Sequence, residues 1–334
     1  MKIYLFDPWK EKFTRSLRQH WEAQGHEVEH GMWWGPDRVR GRDLAFFYAC
    51  ENNIKQASNT SEKPPGTRII VEAVDVDIYA HTFKKVNWDY VDALVSMSKH
   101  MIDYMRPDLP ASLPVHHVPG GVDLDLWTMR RDATRNYNIA WVGRHWIAKN
   151  LFGALQIFAE LLHRDGHNPW HLYVRSEGWS PPWWEMHCKA YLDANPWLAD
   201  RVTFIEQHIP DLNEWLEDKA YILSTSFKEA FGYAVAEAAA KGLRPVIQNS
   251  YGTLDLWPRE WVFDTHSQAV RMFLGCCTNP EGYRAVIEQR YPLTQRLEML
   301  DEICFPDDPV TEIGKVLESA GVTDEIAQEP YGRC

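Results

Sequence analysis

Two glutamates, Glu229 and Glu237, stand eight residues apart around the run Phe231-Gly232-Tyr233. An apolar run that closes at Leu223 reads as a buried strand, and a Ser/Thr segment leaves it. An Ala-rich helix is expected over residues 232–241, stopped by Gly242 before a further strand at Pro245-Val246-Ile247. In such a strand, loop, helix, strand order the helix starts at the carboxyl edge of a parallel sheet. Its unpaired N–H groups and its dipole favour an anion there. The amides of Phe231, Gly232 and Tyr233 therefore suit a diphosphate, and the flanking carboxylates suit sugar hydroxyls. A glutamate that only solubilises an Ala-rich helix would have the same spacing, so the rest of the chain must discriminate.

Two further groups point to the same chemistry. Arg144 and Lys149 follow a strand read at residues 138–142, and in α/β sheets ligands bind beyond the carboxyl ends of strands. A guanidinium meets a diphosphate as a fork and an ammonium as a point charge. Together with helix amides they can stand in for a divalent metal when a nucleoside diphosphate departs. The segment Val74-Asp75-Val76-Asp77-Ile78-Tyr79 ends another strand. Asp-x-Asp is a pattern that holds a metal and a nucleotide diphosphate through carboxylate oxygens. It also arises by chance, and an aspartate at a strand end commonly caps the next helix.

These segments resemble a known family. Residues 224–247 are similar to the Glu-x7-Glu signature of retaining glycosyltransferases of the family 4 type (glycosyl transferases group 1), which have the GT-B fold. Ile139-Ala140-Trp141-Val142-Gly143-Arg144 with Lys149-Asn150 resembles the strand and basic loop that open the donor domain. Pro119-Gly120-Gly121-Val122-Asp123 resembles the Pro-Asn-Gly-Val-Asp turn before it, with Gly120 in place of Asn. Val95-Ser96-Met97-Ser98, with the helix through Tyr104, resembles the end of the acceptor domain.

The resemblance implies metal-independent, retaining transfer of a hexose-like sugar from a nucleoside diphosphate to an acceptor hydroxyl. It implies Glu237 on the ribose hydroxyls, Glu229 on a hydroxyl of the transferred sugar, and the loop carrying His208 and Ile209 around the base. Near the anomeric carbon it implies Asp77 first, then Asp75, then His81. No cofactor is expected beyond the donor, a UDP-sugar before a GDP-sugar. The acceptor is left open among a sugar, a lipid-linked molecule and modified nucleic acid. The chain departs from the family in lacking a Gly-Gly loop after its first strand, where it has Phe6-Asp7-Pro8-Trp9. It also has Gln248-Asn249-Ser250-Tyr251-Gly252-Thr253 where Gly-Gly-x-x-Glu is usual.

The elements that must position these groups alternate as strands and helices, which predicts an α/β chain with two Rossmann-like domains and parallel sheets facing a central cleft. We expect an acceptor domain at 1–125, a donor domain at 126–300 and a tail at 301–334 that packs back on the first. A chain of 334 residues with 45% hydrophobic and 13% aromatic content is long enough for two cores. No apolar run of about 18 residues suggests a membrane span, and a cytoplasmic protein is expected. Six cysteines show no C-x-x-C spacing and are expected to be reduced.

The net charge of −12 lies mostly after residue 122, since residues 1–122 carry 15 basic and 16 acidic side chains. That acidity opposes general duplex binding, which depends on phosphate neutralisation. Arg38, Arg40 and Arg42 nevertheless support the alternative of phage-type modified DNA as acceptor, with Lys84 and Lys85 further on and Trp33 and Trp34 as stacking candidates. A nucleotide-sugar epimerase, a phosphorylase or a non-catalytic nucleotide- or sugar-binding protein would share much of this pattern.

Overall fold

The computed structural model describes residues 1–131, 136–176, 179–205, 211–275 and 278–306. The first sheet contains β1 (Lys2–Phe6), β2 (Glu27–Gly31), β3 (Leu44–Tyr48), β4 (Arg68–Ala73), β5 (Ala93–Ser96) and β6 (Val115–His117). Its order is β2-β1-β3-β4-β5-β6, with every pairing parallel. The second sheet contains β7 (Asn138–Val142), β8 (His171–Arg175), β9 (Val202–Ile205), β10 (Tyr221–Ser224), β11 (Arg244–Gln248) and β12 (Val262–Phe263). Its order is β9-β8-β7-β10-β11-β12, again all parallel.

Parallel strands covered on both faces need apolar side chains in succession. Leu44-Ala45-Phe46-Phe47-Tyr48 meets that demand with all five residues buried. This is why the inner strands were legible from sequence. Helix Asn52–Thr60 was not expected, because its polar sequence hides the apolar face made by Ile54 and Ala57. Cys50, Cys188 and Cys304 are buried and free, while Cys276, Cys277 and Cys334 lie outside the described residues. Among those residues no helix is long and apolar enough to cross a membrane.

Backbone and close packing both tie the two sheets together. Val122 donates to the Tyr291 carbonyl at 2.9 Å and accepts from the Leu293 amide at 2.9 Å. From there helix Leu293–Cys304 returns to the first sheet, where Leu297, Leu300 and Ile303 join the core of Ile3, Leu5, Leu44 and Phe46. Of the tail expected at 301–334, residues 307–334 lie outside the described residues. On this helix Arg296 donates to Glu72 Oε1 at 2.6 Å and to the Val118 and Pro119 carbonyls at 3.1 and 2.9 Å. The second tie is Gly120, where an added Cβ would lie 2.3 Å from the Phe231 ring. Glycine is required here by close approach, which accounts for the departure from the family's Asn.

Arg296 and Glu72 are 8% and 1% exposed, so removing one partner strands the other charge in the core. Arg296→Ala is expected to cost about 3–5 kcal/mol in urea denaturation. The double variant Glu72→Leu/Arg296→Met should regain most of it. A single variant as stable as wild type would show that the pair carries no such role.

Candidate functional site

In the second sheet the chain runs from β7 out through β8 to β9, then returns to β10 on the other side of β7. The crevice at such a switch point is where α/β sheets bind ligands. The loops after β7 and β10 are the ones that carry Arg144, Lys149 and Glu229. They are stitched to each other: Thr225 Oγ1 donates to the carbonyls of Lys149 and Asn150, at 3.0 and 2.8 Å, and receives Trp141 Nε1 at 3.1 Å. Phe227 donates its amide to the Ala148 carbonyl at 2.9 Å.

That stitching brings Lys149 and Glu229 into a direct ion pair, each side chain about three-quarters buried. Ser226 Oγ donates to the same Glu229 oxygen at 2.8 Å. Arg144 is exposed and, among the described residues, makes no hydrogen bond or ion pair.

Helix Tyr233–Ala240 starts one residue later than expected, with Gly232 as its N-cap at φ +90°. Gly232 offers no side-chain oxygen to the first turn. The amides of Phe231, Gly232 and Tyr233 have no acceptor among the described residues. Unpaired amides at a helix N-terminus can receive an anion. At the other end Gly242, at φ +80°, closes the helix: its amide reaches Ala239 and that of Leu243 reaches Ala238. Ser224, Ser226, Glu229, Gly232, Gln248, Ser250 and Trp257 line a pocket beside the N-terminus. Glu237, partly buried on the second turn, has its carboxyl pushed up to about 8 by burial, with Lys12 of the first domain opposing. His208 and Ile209 lie outside the described residues.

The opposite wall corrects the sequence expectation. Asp75 and Asp77 sit inside a short helix, Asp75–Tyr79, rather than at a strand end. Asp77 is fully buried and turned back on its own loop, accepting from the Val74 amide and from Thr82 Oγ1, each at 2.8 Å. Burial pushes its carboxyl up to about 7, against the hydrogen bonds from Val74, Cys50 and Thr82. Asp77 therefore caps the helix and does not line the cleft. Asp75 is the carboxylate that faces the ion pair: burial and Glu229 raise its pKa, while Lys149 and Lys228 lower it. His81 is exposed at φ +52°, its ring 6.3 Å from that of Tyr104.

Sequence reasoning passed over Lys228 and Tyr79. Lys228 Nζ lies 3.5 Å from the centroid of the Tyr79 ring and 4.4 Å from that of Trp146. Burial lowers the Lys228 pKa, and Asp75 raises it. Tyr79 is pushed up to about 12 by burial, Asp75 and Glu229. Nothing in the sequence marks these residues, since Lys228 meets its partners only across the cleft and across the switch point.

The two divergent loops also reach the cleft. Without glycines, the β1 loop still takes left-handed conformations, at Lys10 and Glu11 with φ of 56° and 60°. Its Phe13 ring lies 6.1 Å from that of Tyr233. Gly252 packs on the buried His100, whose Nδ1 would be 1.9 Å from an added Cβ. The arginines of the triplet engage different partners. Arg38 donates to Tyr4 Oη at 2.5 Å, Arg40 lies 3.7 Å from Asp37 and Arg42 pairs with Glu29 at 2.6 Å, with Arg38 and Arg40 both exposed. Lys84 pairs with Asp108 at 2.9 Å. Trp33 is 63% exposed, whereas Trp34 packs on the core.

Residues 136–261 match the family model of the glycosyl transferases group 1. That segment holds Arg144, Lys149, Glu229 and Glu237, and the match supports a glycosyltransferase. No curated protein matches the chain in sequence. A sucrose-phosphate synthase from Thermosynechococcus elongatus superposes with a TM-score of 0.72 at 14% identity, over 96% of this chain and 100% of that one. Anabaena HepE in complex with UDP-glucose gives 0.70 at 13% identity, over 96% and 100%. The fold is GT-B. TarM of S. aureus gives 0.64 at 12% identity over 78% of this chain, which spans only 54% of TarM.

The raised Glu237 carboxyl has a signed consequence. With a folded value of about 8 against an ordinary 4.5, the folded state keeps a proton that the unfolded chain releases. This contribution to stability is full below about 4.5, falls as pH rises to about 8, and is flat above. Glu237→Gln is expected to show a smaller decline of the melting temperature between pH 5 and 9 than wild type. Parallel curves would show that Glu237 ionises normally.

Proposed function

We propose that the protein is a retaining glycosyltransferase that moves a hexose-like sugar from a nucleoside diphosphate, UDP before GDP, to an acceptor hydroxyl without a metal. The observation that carries this reading is the Lys149–Glu229 ion pair beside the free amides of helix Tyr233–Ala240, with Asp75 across the cleft. The structure of Anabaena HepE with UDP-glucose, on the same fold, supports the choice of donor. The donor diphosphate rests on the amides of Phe231, Gly232 and Tyr233. Arg144 and Lys149 take up the charge that develops as it leaves, the task a divalent metal performs elsewhere. Glu229 holds a hydroxyl of the transferred sugar, and Glu237 holds the ribose.

Retention follows from front-face attack, in which the acceptor oxygen approaches from the leaving-group side and the departing phosphate accepts its proton. Asp75, not Asp77, lies nearest the anomeric carbon in this scheme. We assign acceptor binding to the first domain, residues 1–125, and donor binding to the second, from residue 126 to the return at Leu293. The acceptor is a sugar or lipid-linked hydroxyl in preference to modified DNA, because Arg40 and Arg42 are paired with Asp37 and Glu29 and the net charge of the chain is −12.

Thermal stabilisation by UDP, GDP, ADP, TDP and their sugars tests the donor site directly. One nucleoside diphosphate should raise the melting temperature, with the shift unchanged by EDTA and reduced in Arg144→Ala. A shift that requires manganese and survives Arg144→Ala would instead move the site to Asp75 and Asp77.

The two aspartates separate by their losses. Asp75→Asn is expected to lower turnover of the bound donor at least about tenfold with little change in melting temperature. Asp77→Asn should lower melting temperature first, since it removes an acceptor from a buried capping network. Equal turnover of Asp75→Asn and wild type would remove Asp75 from the scheme.

A further inference from the structure

Three cations lie on the two loops that bracket the switch point, and their states differ. Lys149 is already engaged by Glu229. Arg144 projects into solvent. Lys228 is held differently, between the ring of Tyr79 from the first domain and that of Trp146 from the loop joining Arg144 to Lys149. Among the described residues no oxygen lies within hydrogen-bond distance of its ammonium.

Aromatic faces stabilise a cation without accepting its protons, so all three N–H donors of Lys228 are available to a ligand. Its position selects the ligand. Lys228 immediately precedes Glu229 and stands three residues before Phe231, the first of the free amides at the helix N-terminus. Lys228 feels the charges of Asp75, Lys149 and Glu229. Its unused N–H donors, on the loop that leads to the unpaired amides, suit the oxygens of a phosphate group.

We propose that Lys228 binds the terminal phosphate of the nucleoside diphosphate donor, as the preformed cation that the Tyr79 and Trp146 rings hold over the site. This rests on the donor-site reading above. Lys228 then donates, beside Arg144 and Lys149, to the phosphate oxygens that become the leaving group. Because Tyr79 belongs to the first domain, the same cation couples the position of the acceptor wall to donor binding.

The test is calorimetric titration of the full chain with UDP, GDP, ADP and TDP, followed by the tightest diphosphate and its monophosphate against Lys228→Met and Lys228→Arg. Methionine keeps the apolar stem between the rings, and circular dichroism melting checks the fold. Lys228→Met should weaken the diphosphate about tenfold or more and the monophosphate less than about twofold, with Lys228→Arg restoring most of the loss. Unchanged diphosphate affinity in Lys228→Met would overturn the proposal, as would equal losses for both ligands. If wild type binds none of the four diphosphates, the donor-site reading itself fails, and this inference with it.

Discussion

The buried ion pair between Arg296 and Glu72 sets the geometry on which the cleft depends. Taking both charges from water is costly, and their attraction offsets that cost only because the remaining donors of Arg296 also find acceptors. Those acceptors are the carbonyls of Val118 and Pro119, immediately before the Gly120-Gly121 turn. Burial works against the Arg296 charge, but Glu72, Tyr233 and Tyr48 outweigh it and raise the pKa. One side chain on the last described helix thus fixes the segment that links the domains. Gly120 then meets Phe231, one residue before the cap of the helix whose free amides face the cleft. The start of helix Tyr233–Ala240 is therefore positioned by the first domain as much as by its own sheet.

Within the cleft, charge is arranged before any substrate arrives. Lys149 and Glu229 neutralise each other, Asp75 faces them across the gap, and Lys228 is held by aromatic faces that leave its donors unused. In a partly dewatered site such fixed charges act more strongly than in water and need little reorganisation. The same dryness raises the carboxyls of Asp75, Asp77 and Glu237 by one mechanism, burial, with different outcomes. Asp77 satisfies its oxygens inside its own loop, whereas Asp75 and Glu237 meet lysines from the opposite domain.

The motifs that were legible in the sequence are those governed by short-range rules. Leu44-Ala45-Phe46-Phe47-Tyr48 reads as an inner parallel strand because both faces must be apolar. Gly242 reads as a helix stop because only a left-handed residue closes that turn without strain. Glu237 could be placed on the second turn of a helix, and Glu229 in the loop before it, because the Ala-rich run and its glycines mark the helix ends. Asp77 takes the helix-capping alternative for an equally local reason. A helix begins at Asp75, so the residue at its third position points back to the Val74 amide.

By itself the sequence determined the alternation of strands and helices and the residue types available on the loops between them. Local backbone preference and apolar periodicity carry that information over a few residues. Only the tertiary structure decided which groups meet. Lys228 reaches Tyr79 from about 150 positions away, Glu72 reaches Arg296 across 224 positions, and Asp75 rather than Asp77 faces Glu229. These pairings depend on the order of strands in two sheets and on the return of helix Leu293–Cys304. They are set by the shared burial of distant apolar faces, a constraint that no short window of residues contains.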